Sequence, residues 1–161
     1  MQIQTSRFGK ITIDENELLM MPQGLIGFET CRHWILIANP TNEDIAWLQS
    51  VGVPNVAIPV ISPRRYAPHY RVQISQRDLS VLRLHNDDKL FVLTVVSKSG
   101  MTLTTNLKSP ILLNATRKIA AQVVCTSDSP LSWPIGLTPS AKTVLEITST
   151  NDVDIVRVKA A

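Results

Sequence analysis

Apolar positions in this chain come in short runs, many of them alternating with polar residues, and turn formers interrupt them often; no stretch sustains the spacing of a long amphipathic helix. Ile11 and Ile13 alternate with Lys10 and Thr12 after Phe8-Gly9, which predicts two short strands over residues 2–14 around a glycine turn. From Leu18 to Phe28 the apolar run is broken by Pro22, Gly24 and Gly27, too often for a regular helix. Trp34 to Ala38 is apolar and ends at Asn39-Pro40, as a strand would. Val56 to Ile61 reads the same way, and Pro59, with no N–H to give a ladder, places that strand at a sheet edge or a bulge. Leu90 to Val96 is an unbroken strand; Lys98-Ser-Gly100 supplies a turn, and Met101 to Thr105 returns with clean alternation.

One short helix is predicted, with Ser75 as N-cap, Asp78 three residues on, and Leu79 and Leu82 at helical spacing. The segment from Asn106 to Val124 has two readings. In the first, Pro110 stops what precedes it, Asn114 to Lys118 is a polar turn, and Ile111–Leu113 pairs with Ile119–Val124 as a hairpin with Ile119, Ala121 and Val123 on one face. In the second, Ala115 to Val124 is a helix grouping Ile119, Ala120 and Val123, but it brings no acid to its first turn. The strands on both sides favour the hairpin. Past Cys125 the chain becomes proline-punctuated, and Thr143–Thr148 with Val153–Val158 forms either a final hairpin around Ser149 to Asp152 or a loosely attached tail. The expected fold is therefore all-β and mostly antiparallel: a small, partly closed pseudo-barrel with one or two short helices over residues 1–137, and a C-terminal extension over 138–161.

A chain of 161 residues suits one domain, burying roughly 70% of its unfolded surface. The net charge of +3 permits an acidic partner, although ordinary solvated lysines and arginines are the favoured account of it. Cys31 and Cys125 belong to no metal-type pair and read as small core residues in a reducing compartment. With no apolar leader and no run long enough to cross a bilayer, the expectation is a cytoplasmic protein without membrane contact, in which the Asn114-Ala-Thr116 sequon goes unused.

Little here is equipped for bond chemistry. His33, His69 and His85 lack metal-ligand spacing, and no nucleophile elbow or phosphate loop is present, so no catalytic residue, metal or cofactor is expected. Asp87-Asp88 reads as a solvated turn, because adjacent carboxylates on a turn face different ways. Gly24-Leu-Ile-Gly27 spells the clamp of an RNA-binding module without the helices and cationic flanks that the clamp needs. Pro63 to Arg71 interleaves Arg64, Arg65 and Arg71 with Tyr66 and Tyr70, a mix that can grip phosphates and stack bases, or simply form an exposed connector.

Five segments in order, Pro22-Gln-Gly-Leu-Ile-Gly-Phe-Glu29, Trp47-Leu-Gln-Ser50, Pro63 to Tyr70, Asn106 to Asn114 and Gln122-Val-Val124, resemble the bacterial flagellar assembly factor FliW family. The resemblance implies a non-enzymatic, cytoplasmic pseudo-barrel, monomeric alone. It also implies binding to the translational repressor CsrA, relieving its block on flagellin mRNA, with flagellin competing for the factor; direct RNA binding is not expected. The alternative from the residues alone is a small barrel that contacts RNA or another acidic partner through Arg64–Arg71.

On this resemblance, the candidate partner contacts are Trp47, Leu48, Gln49, Arg64, Arg65, Tyr66, Tyr70, Asn106 and Asn114. Trp47 is either an exposed anchor or a core residue on an edge strand, and Asn106 and Asn114 either meet a partner or bond local backbone. Gly24, Gly27, Phe28, Pro110 and Gln122 are candidates for framework roles, the glycines for backbone angles closed to other residues. The chain departs from the family pattern in carrying Arg64, Arg65 and His69 where apolar and acidic residues are expected, and in its positive net charge.

Overall fold

The structure, a computed structural model, describes residues 1–136 and the backbone of residues 155–158. Its strands are β1 (Gln2–Thr5), β2 (Gly9–Thr12), β3 (Leu19–Met20), β4 (His33–Ala38), β5 (Ala46–Ser50), β6 (Ala57–Ile61), β7 (Val72–Ser75), β8 (Leu90–Ser99), β9 (Thr102–Thr105), β10 (Ile111–Asn114), β11 (Ile119–Gln122), β12 (Trp133–Ile135) and β13 (Ile155–Val158). Among the described residues one α-helix, α1 (Gln76–Ser80), follows β7, capped by Ser75, whose Oγ accepts from the Asp78 N–H as the sequence predicts.

Nine strands form one sheet in the order β10-β11-β3-β4-β5-β6-β8-β9-β12, and β10 also pairs with β8. That second pairing brings the sheet back on itself. Leu90 to Leu93 of β8 lie against β10, while only Thr94 and Val95 reach β6. Closure is thin elsewhere too, since β11 meets β3 through one parallel pair, Ile119 with Met20. The result is a partly closed barrel, as expected. The β1–β2 hairpin is a separate sheet, and the nine-stranded one is antiparallel apart from the β11–β3 bridge.

Burial explains which strands alternate and which run apolar throughout. Trp34 of β4 points into the barrel with Leu19, Met21, Leu48, Val60, Ile111 and Leu113, while Ile35 faces Ile3 and Ile13 of the N-terminal segment. Both faces of β4 are covered, so it has no polar face. The same holds for β10, whose Ile111 and Leu113 fill the barrel and whose Leu112 packs on Val72, Ile74, Leu79 and Leu82 outside it. The hairpin reading of the Asn106 to Val124 segment is correct: Leu112 sits opposite Ala121 and Asn114 opposite Ile119. Ala121 and Val123 share the outer cluster against which Ile119 packs.

Two expectations are corrected. β6 is an interior strand, paired with β5 and β8, and Pro59 is accommodated because the ladder to β8 begins only at Val60. β5, which carries Trp47, is likewise no edge strand, lying between β4 and β6. Residues 155–158 pair in parallel with β7; Thr143–Thr148, the other half of the final-hairpin alternative, lies outside the described residues.

Candidate partner-binding surface

The loop from Pro22 to Glu29 caps one end of the barrel. Leu25 is buried and Phe28 half-buried against the barrel interior, while Ile26 between them stands 62% exposed. Gly24 has φ +67° and Gly27 φ +86°, angles that a Cβ disfavours. Side chains then lock the loop: Gln122 Oε1 accepts from the Ile26 N–H at 2.9 Å, its Nε2 donates to the Ser109 carbonyl at 3.2 Å, and Glu29 Oε1 accepts from the Gly27 N–H at 2.9 Å. Arg32 donates to the Pro22 carbonyl. Val124, two residues beyond Gln122, is 51% exposed. Two large apolar side chains thus stay in water around a rigidly held glutamine. Strand and turn surround the Gly24–Gly27 segment on both sides, without the helices of an RNA clamp.

Ile26 escaped the sequence reading, which took the loop for framework. The available signal was an isoleucine wedged between glycines that both demand tight turns, leaving its side chain nowhere to fold inward.

Of the Trp47-Leu-Gln segment, only the tryptophan reaches the surface. Leu48 and Gln49 are 0% exposed, so both move from the candidate contact surface to the framework. Gln49 Nε2 donates to the carbonyls of Ser50, Pro54 and Val56 at 2.9, 3.3 and 3.1 Å, clamping the β5–β6 turn. Trp47 is half-buried, with the Arg7 guanidinium 3.8 Å from its ring centroid and Phe8 meeting it edge-on at 6.3 Å. Arg7 also lines a shallow open depression with Ser6, Pro54, Asn55 and Ala57.

The arginine–tyrosine loop is stapled down. Pro63–Arg65 forms a single 3-10 turn, Arg65 pairs with Asp44, and Tyr66 Oη donates to the same carboxylate at 3.0 Å. Burial, together with the Asp44 carboxylate, pushes the Tyr66 hydroxyl up to about 12. Trp133 Nε1 donates to the Tyr66 carbonyl at 3.0 Å. Tyr70 Oη donates to the Leu107 carbonyl at 2.7 Å, and burial beside the Cys125 thiol raises its pKa as well. Both rings pack on apolar clusters. They hold the loop to the body rather than offering free faces for base stacking; Arg64 and Arg65 remain exposed at the rim.

Both asparagines bond within the chain, Asn106 to near neighbours and Asn114 mainly to distant ones. Asn106 Oδ1 accepts from the N–H groups of Lys108 and Ser109 at 2.9 and 3.1 Å, turning the chain toward buried Pro110 and the start of β10. Asn114 is 0% exposed. Its Nδ2 donates to the Leu82 carbonyl at 3.0 Å and to Asp88 Oδ2 at 2.8 Å, and its Oδ1 accepts from the Arg117 N–H at 3.2 Å. It is a buried tie between the turn after α1, the β8 approach and the β10–β11 turn, and it leaves the partner surface.

Asp88 is no solvated turn residue either. Its side chain is 5% exposed and takes hydrogen bonds from Asn114, the His85 N–H and Arg117 Nε. Asn114 first, then His85 and Arg117, hold its carboxyl below the ordinary range against the opposing push of burial. Glu29 is lowered too, mainly by the Gly27 N–H. A carboxyl that ionises more readily folded than unfolded contributes stability above its unfolded pKa and loses it as pH falls through the folded one. Stability should therefore drop on acidification below the ordinary aspartate value of 3.8. Urea midpoints measured across the acid range should show a shallower drop for Asp88→Asn; an identical slope in both proteins would contradict the assignment.

Among the described residues, no group of three or more His, Cys, Asp or Glu could hold a metal ion, and no helix is long and apolar enough to cross a membrane. Comparison with known proteins places this geometry. The chain is 35% identical over 126 residues to the flagellar assembly factor FliW of Bdellovibrio bacteriovorus, covering 77% of this chain and 72% of that protein. It is 33% identical over 126 residues to the FliW of Syntrophus aciditrophicus, covering 77% and 80%. A solved crystal structure of the flagellar assembly factor FliW superposes with a TM-score of 0.75 at 24% identity, covering 84% of this chain and 95% of that one, a likeness of fold. The family model described as FliW protein matches residues 2–135, and this chain belongs to the FliW family of flagellar assembly factors.

Proposed function

We propose that the protein acts in flagellar assembly as a partner-switching binder: it restrains a CsrA-type translational repressor, and flagellin competes for it, so the level of free flagellin sets how much repressor is held. The family match over residues 2–135 carries this reading. The surface that supports it is the capped end of the barrel. Ile26 is exposed on a loop whose backbone is already fixed by Gln122 and Glu29, so binding there loses little conformational freedom. An apolar anchor on a rigid loop is the kind of residue that dominates interface energy. Arg64, Arg65 and the Arg7–Trp47 pair supply polar and aromatic contacts elsewhere on the surface.

The test is a competition by calorimetry among the purified protein and the CsrA-type repressor and flagellin of the same organism. Each partner is expected to bind and to weaken binding of the other. Ile26→Asp should reduce affinity for at least one partner tenfold or more with an unchanged thermal midpoint, since exposed substitutions away from special features shift stability by no more than about 0.5 kcal/mol. Retention of RNA with neither protein captured would overturn the proposal.

A further inference from the structure

β7 lies outside the nine-stranded sheet and, among the described residues, its one strand partner is β13. Its Val72 and Ile74 side chains are buried at 2% and 0% exposure, anchoring it against α1 and the outer face of β10–β11. One edge is already engaged at Gln73, whose carbonyl accepts from the Thr126 N–H at 2.8 Å and from Thr126 Oγ1 at 3.3 Å. Successive residues of a strand turn their N–H and C=O to opposite edges, so Val72 and Ile74 direct theirs to the other edge. That edge is where β13 runs in parallel, with Ile155 opposite Val72 and Arg157 opposite Ile74. In a parallel ladder a residue bonds to those before and after the one opposite it. The register therefore gives the Val156 and Val158 N–H groups to the carbonyls of Val72 and Ile74, and the Ile74 N–H to the Val156 carbonyl.

Residues 155–158 fall beyond the 2–135 span of the family match. The domain thus carries a short, well-anchored strand with an edge that its own matched portion leaves to another segment. An open edge of this kind templates pairing with any extended chain. We infer that the outer edge of β7 is a strand-addition site, and that the chain closes it in cis with its own segment Ile155–Val158. An extended peptide rich in β-branched residues enters only by displacing that segment, gaining main-chain bonds along the edge.

The full-length double variant Val156→Pro/Val158→Pro removes both donors from β13. Amide hydrogen exchange by NMR should show Ile74 protection at least tenfold lower in the variant, while Leu48 of β5 keeps its own. A labelled synthetic peptide spanning Val153 to Lys159 should bind the variant at least tenfold more tightly than the unsubstituted chain and restore the Ile74 protection. Equal Ile74 protection in the two proteins, or equal peptide binding, would overturn the inference. So would Ile74 protection that falls on dilution of the unsubstituted chain, because the strand would then come from a second copy.

Discussion

Gly24→Ala is expected to destabilise the fold by about 3 kcal/mol or more, against about 1 kcal/mol for Gly27→Ala. Both glycines have positive φ, at +67° and +86°. They differ in what a methyl group would meet. At Gly24 a Cβ would lie 2.5 Å from the Phe28 carbonyl oxygen, 2.7 Å from Glu29 Cα and 2.8 Å from the Glu29 carbonyl oxygen. All three are backbone atoms of the same loop and cannot swing aside as a flexible side-chain tip would. At Gly27 nothing lies within 4 Å, so the penalty there is the left-handed angle alone. Relief at Gly24 requires the loop to open, which breaks the Gln122 bond to Ile26 and lifts Leu25 and Phe28 off the barrel interior. Urea denaturation of the three proteins reads the difference directly. If Gly24→Ala costs no more than Gly27→Ala, the loop is pliant, and the view of Ile26 as a pre-positioned anchor falls with it.

How much of this was legible in the sequence depended on the range of the interaction concerned. Local chemistry was readable: Ser75 and Asp78 cap α1 within four residues, and the polar Asn114–Lys118 turn sets the β10–β11 register. The apolar runs at Trp34–Ala38 and Leu90–Val96 are strands because burial selects β-branched and bulky residues there. Roles assigned by distant partners were hidden. Asn114 finds Leu82 across 32 residues and Asp88 across 26, so a residue that looks like a polar turn former is in fact buried. Leu48 and Gln49 look like contacts beside Trp47 only until β4 and β6 flank them. Pro59 read as an edge marker because the rule concerns one missing N–H, whereas the short ladder to β8 never asks for it. The pairing of 155–158 with β7 was not legible, because pattern favours the nearest partner and β7 lies about eighty residues upstream.

Asn114→Ala should cost about 2 kcal/mol, mainly from the buried Leu82 carbonyl losing its donor, at roughly 1–3 kcal/mol for an unsatisfied group; Asp88 keeps its bonds from the His85 N–H and Arg117 Nε. The alanine removes the amide that Leu82 and Asp88 share and the acceptor that closes the turn on Arg117. Asn114→Asp makes a sharper test, because it keeps the shape and reverses the electrostatics. A second carboxylate would then stand where the Asn114 amide lies 2.8 Å from Asp88 Oδ2, and two like charges so close cannot both remain ionised cheaply. Protonation relieves that repulsion, so acidification toward the ordinary carboxylate range should narrow the gap between Asn114→Asp and the unsubstituted chain. The unsubstituted chain gains nothing over that interval and loses stability only further down, below the ordinary aspartate value of 3.8, as Asp88 is protonated. Urea midpoints for the three proteins at neutral and mildly acidic pH should therefore converge for the aspartate variant. The alanine variant should lie well below the unsubstituted chain at both pH values. An alanine variant within about 0.5 kcal/mol of the unsubstituted chain, or an aspartate variant whose deficit is the same at both pH values, would mean that Asn114 does not tie the turn after α1 to the β10–β11 turn.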